Sequence, residues 1–221
     1  LKVGSLTGSG NIALAIPDSS GTVDQTIGQN DLLTVDDGSH FQALITAESG
    51  TVSESGWTLN DSTTTSGSGL RQAVRNAGDT KTVAHAIYDY ELATGKVNSE
   101  SDSLGIEYTL KTVDIVDTKT LELSESGSLS AVITDSSGAG TLLITGQIEL
   151  TGHNEYDSVT RVSGPDASLT VEQSGLGNTT ALLLEGNVAF INEGTNSVGY
   201  LNASGSNIEL NEAYANGWKR F

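Results

Sequence analysis

Apolar residues in this chain recur at every second position over short runs, and this period constrains the fold more than any other feature. A period of two places successive side chains on opposite faces of a β-strand. In residues 105–117, Ile106, Tyr108 and Leu110 share one face. The sequence therefore predicts many short strands, each with at least one face turned toward an apolar core.

Turn-forming sequences separate these runs, for example Asp36-Asp37-Gly38 and Gly205-Ser206-Asn207. Short strands divided by such turns are typical of sandwiches, jelly rolls and barrels. We therefore predict an all-β fold, largely antiparallel, of the β-sandwich or jelly-roll type. One competing pattern predicts at most one short helix near 70–77, because four apolar residues there follow the spacing i, i+3, i+4, i+7, namely Leu70, Ala73, Val74 and Ala77.

The second half of the chain contains an internal repeat. Residues 128–150 and 168–190 both read Ser-Leu, a Ser-Gly turn, a pair of leucines, a glycine and an alternating strand. Two tandem hairpins explain this repeat, and so do two coils of a solenoid. Asn-containing turns after Gln173 would also fit the rungs of a solenoid, in which stacked Asn side chains bond to one another, but ordinary hairpins remain the leading interpretation. A β-solenoid in the C-terminal half is thus the alternative prediction.

Composition excludes several classes of function. The formal net charge is −18, which disfavours nucleic-acid binding because that binding needs clustered Lys and Arg. The chain has no Cys, which excludes disulfides and zinc–thiolate sites, and no Met, from which we expect a processed N terminus. No apolar run approaches the roughly 18 residues of a spanning helix, so we expect no membrane-spanning segment.

No catalytic or cofactor motif is present. The three histidines, His40, His85 and His153, are far apart and have no ligand-spaced partner, so we predict no metal site built on them. Acid-rich loops at 36–38, 98–102 and 154–157 are the candidates for structural calcium, although none follows the EF-hand pattern. We therefore expect a protein that is not an enzyme and has no cofactor, with structural calcium as the open alternative.

The N-terminal residues 1–17 are predicted to form a strand or arm, and residues 18–221 a single β domain. The arm carries an alternating apolar segment that includes Ile12, Leu14 and Ile16, followed by a Pro-Asp-Ser-Ser-Gly hinge. This arrangement suits donor-strand exchange, in which the end of one subunit completes the sheet of a neighbour. An ordinary first strand that pairs within its own subunit is the alternative.

The C-terminal end is aromatic and basic, in contrast to the acidic body of the chain. We predict Trp218, Arg220 and Phe221 as subunit-interface residues, because Trp and Arg are frequent interface anchors. Three Asn-X-Ser/Thr sequons also make candidate acceptors for N-glycosylation, at Asn60, Asn178 and Asn202.

From these features the leading hypothesis is a non-enzymatic structural subunit of an extracellular or cell-surface homopolymer, such as a pilus-like filament or a surface layer. Its partners would be copies of itself, with donor-strand complementation as the candidate route of assembly. The first alternative is a virion protein, either a jelly-roll capsid or a tail-tube subunit. The second is a calcium-supported adhesin or carbohydrate-binding domain.

Overall fold

The computed structural model describes residues 1–13, 23–59, 65–97, 101–136 and 138–210. They divide into two compact units. Unit 1 takes its described residues from Leu1–Val23, Gly38–Arg71 and Ile87–Leu110, and unit 2 from Asp24–Asp37, Gln72–Ala86 and Lys111–Phe221.

The described structure is nearly all-β. Its elements are β1 (Lys2–Val3), β2 (Gly10–Ile12), β3 (Val23–Gly28), α1 (Gln29–Val35), β4 (His40–Ala47), β5 (Trp57–Leu59), β6 (Ser66–Arg75), β7 (Ala84–Val97), β8 (Ser101–Ile115), β9 (Thr120–Leu123), β10 (Gly127–Leu129), β11 (Val132–Thr134), β12 (Thr141–Ile144), β13 (Gln147–Leu150), β14 (Val159–Ser163), β15 (Ser168–Val171), β16 (Ala181–Glu185), β17 (Ala189–Asn192), β18 (Leu201–Ser204) and β19 (Asn207–Leu210). One sheet has the strand order β1-β4-β8-β7-β6-β3, with β11 also paired to β8.

Unit 1 is held together by an apolar cluster and by aromatic rings that lie over glycines. Strand β4 pairs with β8 in the antiparallel sense, with a register shift between Ala43 and Ile45. The Phe41 ring lies so close to Gly95 and Gly105 that a Cβ atom on either glycine would overlap it. Glycine at these positions allows the ring to pack directly on the backbone of neighbouring strands. The buried cluster consists of Ala47, Val52, Leu59, Tyr90, Leu92, Leu104 and Ile106.

Unit 2 contains two five-stranded parallel sheets. Sheet 1 has the order β18-β16-β14-β12-β9, and sheet 2 has the order β10-β13-β15-β17-β19. The chain passes from a strand of sheet 1 to a strand of sheet 2 and back again. Each strand pairs in parallel with the next strand of the same sheet, as β12 does with β14 and β13 with β15. A third side begins with the parallel pair β8 and β11 and continues through turns, as the 2.9 Å bond from Glu155 N–H to Ile133 O shows. These features are those of a β-solenoid of five coils.

The interior of the solenoid consists of side-chain columns that run from coil to coil. In sheet 1 one column is Leu121, Leu142, Thr160, Leu182 and Leu201. In sheet 2 one column is Gly127, Ile148, Leu169, Phe190 and Ile208. Because every strand keeps its inward positions in register with the next, each coil buries its apolar face only against its neighbours.

The structure confirms an all-β fold, and its C-terminal half fits the solenoid alternative. The sandwich or jelly roll is not confirmed, because the described strand pairs from β9 to β19 are parallel. Alternation of apolar residues marks a strand and its buried face, but it is the same for both pairing directions. The repeats at 128–150 and 168–190 each run from one strand of sheet 2 to the next, β10 to β13 and β15 to β17, and thus correspond to coils.

The helix expected near 70–77 is wrong. Residues up to Arg75 belong to strand β6, and the helix found among the described residues is α1 at Gln29–Val35. Consecutive residues Ala73 and Val74 are both buried, because both faces of this part of β6 are covered. An apolar pair at i+3 and i+4 imitates the helical spacing for that reason.

In the part of the chain that the structure describes, no helix combines the length and apolar content needed to cross a bilayer.

Candidate assembly site at the end of the solenoid

The first coil of the solenoid is covered on its outer edge by side-chain hydrogen bonds. The Asn76 amide lies against β9, where its Nδ2 donates to Thr120 O (2.8 Å) and its Oδ1 accepts from Glu122 N–H (2.9 Å). These two bonds replace those of a neighbouring strand. Asn76 therefore blocks further strand addition at this edge.

Helix α1 covers the sheet 2 side of the same coil. It packs against β9 and β10, with Leu32 fully buried and Leu33 against Gly127. The Asp36 carboxylate, directly after the helix, accepts from the backbone N–H groups of Ser130 and of Ala131 (3.0 Å). Burial raises the pKa of the Asp36 carboxyl above its ordinary value, and these N–H donors oppose the rise.

Buried polar side chains tie the middle coils together. Asn154 Oδ1 accepts from Ile133 N–H (2.7 Å) one coil earlier, and Asn154 Nδ2 donates to Gly175 O (2.6 Å) one coil later. Within the core, the Tyr156 hydroxyl bonds to Thr160 Oγ1 (2.7 Å). Burial raises the pKa of Tyr156. These groups are buried with partners, which is the arrangement expected of a structural core.

The fifth coil differs from the other four. In the inward columns, Leu182 and Phe190 are 2% and 6% exposed, whereas the next residues, Leu201 and Ile208, are 46% and 43% exposed. Tyr200 is 59% exposed beside them. Strands β18 and β19 are the last of their sheets, and no described residue stacks on them. We call this surface the solenoid end.

A cavity of about 490 Å³ opens at the solenoid end. Its apolar lining consists of Leu176, Leu182, Phe190, Val198, Leu201 and Ile208. It is thus the uncovered continuation of the apolar interior. A cavity of this kind accepts an apolar group or associates with another apolar surface.

The polar groups beside the cavity are already bonded. Asn196 Nδ2 donates to Asn192 Oδ1 (2.8 Å) and to Glu172 O (2.7 Å), and Asn196 Oδ1 accepts from Leu176 N–H (3.0 Å). Asn192 Nδ2 donates to Gly194 O (2.7 Å). The cavity therefore offers mainly apolar surface to whatever fills it.

Of the predicted interface residues, only Ile12 belongs to the part of the chain that the structure describes. Ile12 lies in β2, which pairs in parallel with β5 of the same chain, and it packs against the apolar cluster of unit 1. Leu14 and Ile16 are outside the described residues. The C-terminal residues Trp218, Arg220 and Phe221 are outside them as well.

The candidate modification sites differ in position. Asn178 is exposed in a turn on the third side of the solenoid, and Asn202 is exposed on β18. Asn60 lies outside the described residues.

In two of the three candidate calcium loops a side-chain oxygen is used for bonds within the chain, and residues 98–100 of the third loop lie outside the described residues. Both carboxylate oxygens of Asp36 accept backbone N–H groups, and the side-chain oxygen of Asn154 accepts from Ile133. Within the described ranges no three His, Cys, Asp or Glu side chains come together as a metal-binding group. His40 stacks on Tyr108, with 5.6 Å between the ring centroids.

Sequence reasoning did not find Asn76 or Asn192, and it gave Asn154 a different role. Asn196 lies in one of the Asn-containing turns in which bonded Asn side chains were expected, and its Asn partner is Asn192, four residues earlier. Coil length relates Asn154 to Asn196, because these residues are 42 positions apart, which is two coils.

Comparisons of this chain with protein-family models, with curated proteins and with solved structures find no match.

Proposed function

We propose that this chain is a non-enzymatic structural subunit of an extracellular homopolymer, and that subunits join through the solenoid end. The observation that carries the proposal is the contrast between the two ends of the five-coil solenoid. The first coil is covered by α1, Asn76 and Asp36, whereas the fifth exposes Leu201 and Ile208. Exposed apolar residues beside strand edges on which no described residue stacks favour association.

The closed first coil limits how subunits can join. Stacking the fifth coil of one copy on the first coil of another would require α1 and Asn76 to leave their places. A contact between two solenoid ends needs no such rearrangement and is isologous. Extension beyond a pair would then need a second contact. Donor-strand exchange by the N-terminal arm is the candidate, and it requires β2 to leave β5.

The test is the size of the assembled species as a function of protein concentration. We expect light scattering coupled to gel filtration to show species larger than a monomer, and negative-stain microscopy to show ordered particles or fibres. The double variant Leu201→Asp, Ile208→Asp places two charges at the solenoid end and should remain monomeric.

The matched control is Leu183→Asp. Leu183 is half-buried on the outer face of sheet 1, in register with Arg161 one coil earlier, so its replacement leaves the solenoid end unchanged. The control should assemble like the unmodified chain. If the unmodified chain and a chain truncated after Leu210 both stay monomeric at every concentration, the proposal is wrong.

A further inference from the structure

A second cavity opens on the outer face of sheet 2. Its volume is about 510 Å³, which is within the range of sites that hold small organic ligands. Its lining residues come from coils one to four, whereas Leu201 and Ile208 of the solenoid end belong to coil five. We call this cavity the side groove. Its polar lining consists of Ser128, Gln147, Glu149, Ser168, Thr170 and Glu193.

The register of sheet 2 stacks polar side chains along the side groove. Ser128, Glu149 and Thr170 occupy one outward column in three successive coils. Gln147 and Ser168 form a second outward column two residues earlier. Because neighbouring strands lie about 4.7–4.9 Å apart, the groove presents a hydroxyl, amide or carboxylate group at each step along the solenoid axis.

These polar groups are available to a ligand. Within the described ranges the six side chains form no hydrogen bond or ion pair with the rest of the chain, in contrast to Asn192 and Asn196 beside the solenoid-end cavity. Hydroxyl and amide groups both donate and accept, whereas an ionised carboxylate only accepts. The side groove thus offers donors and acceptors over its whole length.

The arrangement does not suit a metal ion. Glu149 and Glu193 come from coils two and four, whose sheet 2 strands are two spacings apart, about 9–10 Å. Calcium takes about six to eight oxygen ligands at roughly 2.3–2.6 Å, and two carboxylates from such distant strands do not provide that shell.

The chemistry of the lining selects among organic ligands. The two carboxylates repel an anionic ligand, and the lining contains no Lys or Arg to offset them. An apolar ligand would bury polar groups without partners, which is unfavourable. Four of the six polar side chains are neutral hydroxyls or an amide, and these match a ligand that itself carries many neutral hydroxyl groups.

We propose that the side groove binds a neutral oligosaccharide that lies across the strands, along the solenoid axis. Glu149 and Glu193 accept hydrogen bonds from sugar hydroxyls, and such bonds to a charged acceptor are the stronger ones. Gln147, Ser168 and Thr170 donate or accept as the sugar requires. No aromatic ring lines the described groove, so one site binds weakly, and many sites on one particle would bind more tightly through multivalency.

An array of immobilised oligosaccharides tests the ligand class. The probes are neutral chains of glucose, mannose, galactose or N-acetylglucosamine, acidic chains of galacturonic acid, and cationic chains of glucosamine. We expect the full chain, labelled with a fluorophore and kept in a chelator of divalent cations, to bind at least one neutral class and not the acidic chains.

Variants of the groove then locate the site. Glu193→Gln should weaken binding of the neutral probe roughly tenfold, since a hydrogen bond to a charged group is lost, and Glu149→Gln with Thr170→Val should weaken it further. The matched control is Glu172→Gln. Glu172 and Glu193 each directly follow a strand of sheet 2 and bond through N–H to the coil before, at 3.1 and 2.8 Å, but Glu172 does not line the groove. The control should bind like the unmodified chain.

Four outcomes would overturn the proposal: binding to the cationic chains alone, loss of all binding in the chelator, binding that the groove variants leave unchanged, or no binding to any neutral chain. The site does not depend on the proposed function. The double variant Leu201→Asp, Ile208→Asp should keep its binding of the neutral probe in solution, measured by calorimetry, so failure of assembly and failure of this site are read separately.

Discussion

Asn154 connects three successive coils, and its replacement by Ala is the sharpest test of the solenoid. The side chain is 3% exposed and bonds to Ile133 N–H on one side and to Gly175 O on the other. Asn154→Ala removes both bonds and leaves a backbone donor and a backbone acceptor without their partner in a buried site.

The expected loss in the free energy of unfolding follows from the two backbone groups that lose their partner. A buried polar group left unsatisfied costs about 1–3 kcal/mol, so the two together predict a loss of about 2–6 kcal/mol. That is a large part of the roughly 5–15 kcal/mol by which domains are usually stable. Because coils stabilise one another mainly through nearest neighbours, the loss should appear first in the coils on either side of Asn154.

Urea unfolding followed by far-ultraviolet circular dichroism measures the free energy, and native-state hydrogen exchange locates the loss. The matched control is Asn178→Ala, since Asn178 is exposed on the same side one coil later and its change should stay within about 0.5 kcal/mol. If Asn154→Ala unfolds at the same urea concentration as Asn178→Ala, the argument that Asn154 bridges the coils is refuted.

Three further perturbations test other parts of the structure. Gly105→Ala should destabilise unit 1 by about 1–3 kcal/mol, because its Cβ would overlap the carbonyl oxygen of Gln42, whereas Gly4→Ala, with open space around it, should leave the thermal midpoint unchanged. Burial raises the pKa of Tyr156 above 10.0, so its contribution to stability is complete below pH 10.0 and is lost as pH rises through the higher folded value. The urea midpoint of Tyr156→Phe should therefore fall less at alkaline pH than that of the unmodified chain, and parallel curves would contradict this assignment. Asn76→Ala removes the cover of β9, so the β9 amide that bonds to it should exchange faster with deuterium, and unchanged exchange would show that another group protects this edge.

The strands of the C-terminal half could largely be found from the sequence, but their partners could not. Leu142, Ile144, Ile148 and Leu150 are buried and alternate with residues that are less buried, which is the period-two pattern of a strand. Parallel pairing depends on connections of 18 to 22 residues between equivalent positions, as from Leu142 to Thr160 and from Thr160 to Leu182. Alternation within one strand contains no information about such distances.

The candidate site could be predicted only in outline. The sequence draws attention to the C-terminal end through its aromatic and basic residues, but Leu201 and Ile208 read as ordinary strand residues. Their importance arises from position in the stack, because the same inward columns are buried in coil four and exposed in coil five. The hydrogen bonds of Asn76 to the edge of β9 could not be predicted from the sequence either, because Asn76 is 44 residues away from Thr120, to which it bonds.

The sequence by itself determined that this chain forms short strands with polar outer positions, because side-chain alternation and turn chemistry are local properties. It also excluded disulfides and made phosphate-directed binding unfavourable through composition alone. Only the tertiary structure decided that the C-terminal strands stack in parallel as coils, and that the two ends of the stack differ. The physical reason is that an inward Leu or Ile is buried only when another coil lies beyond it. Which coil lies there depends on strand pairing between residues about twenty positions apart.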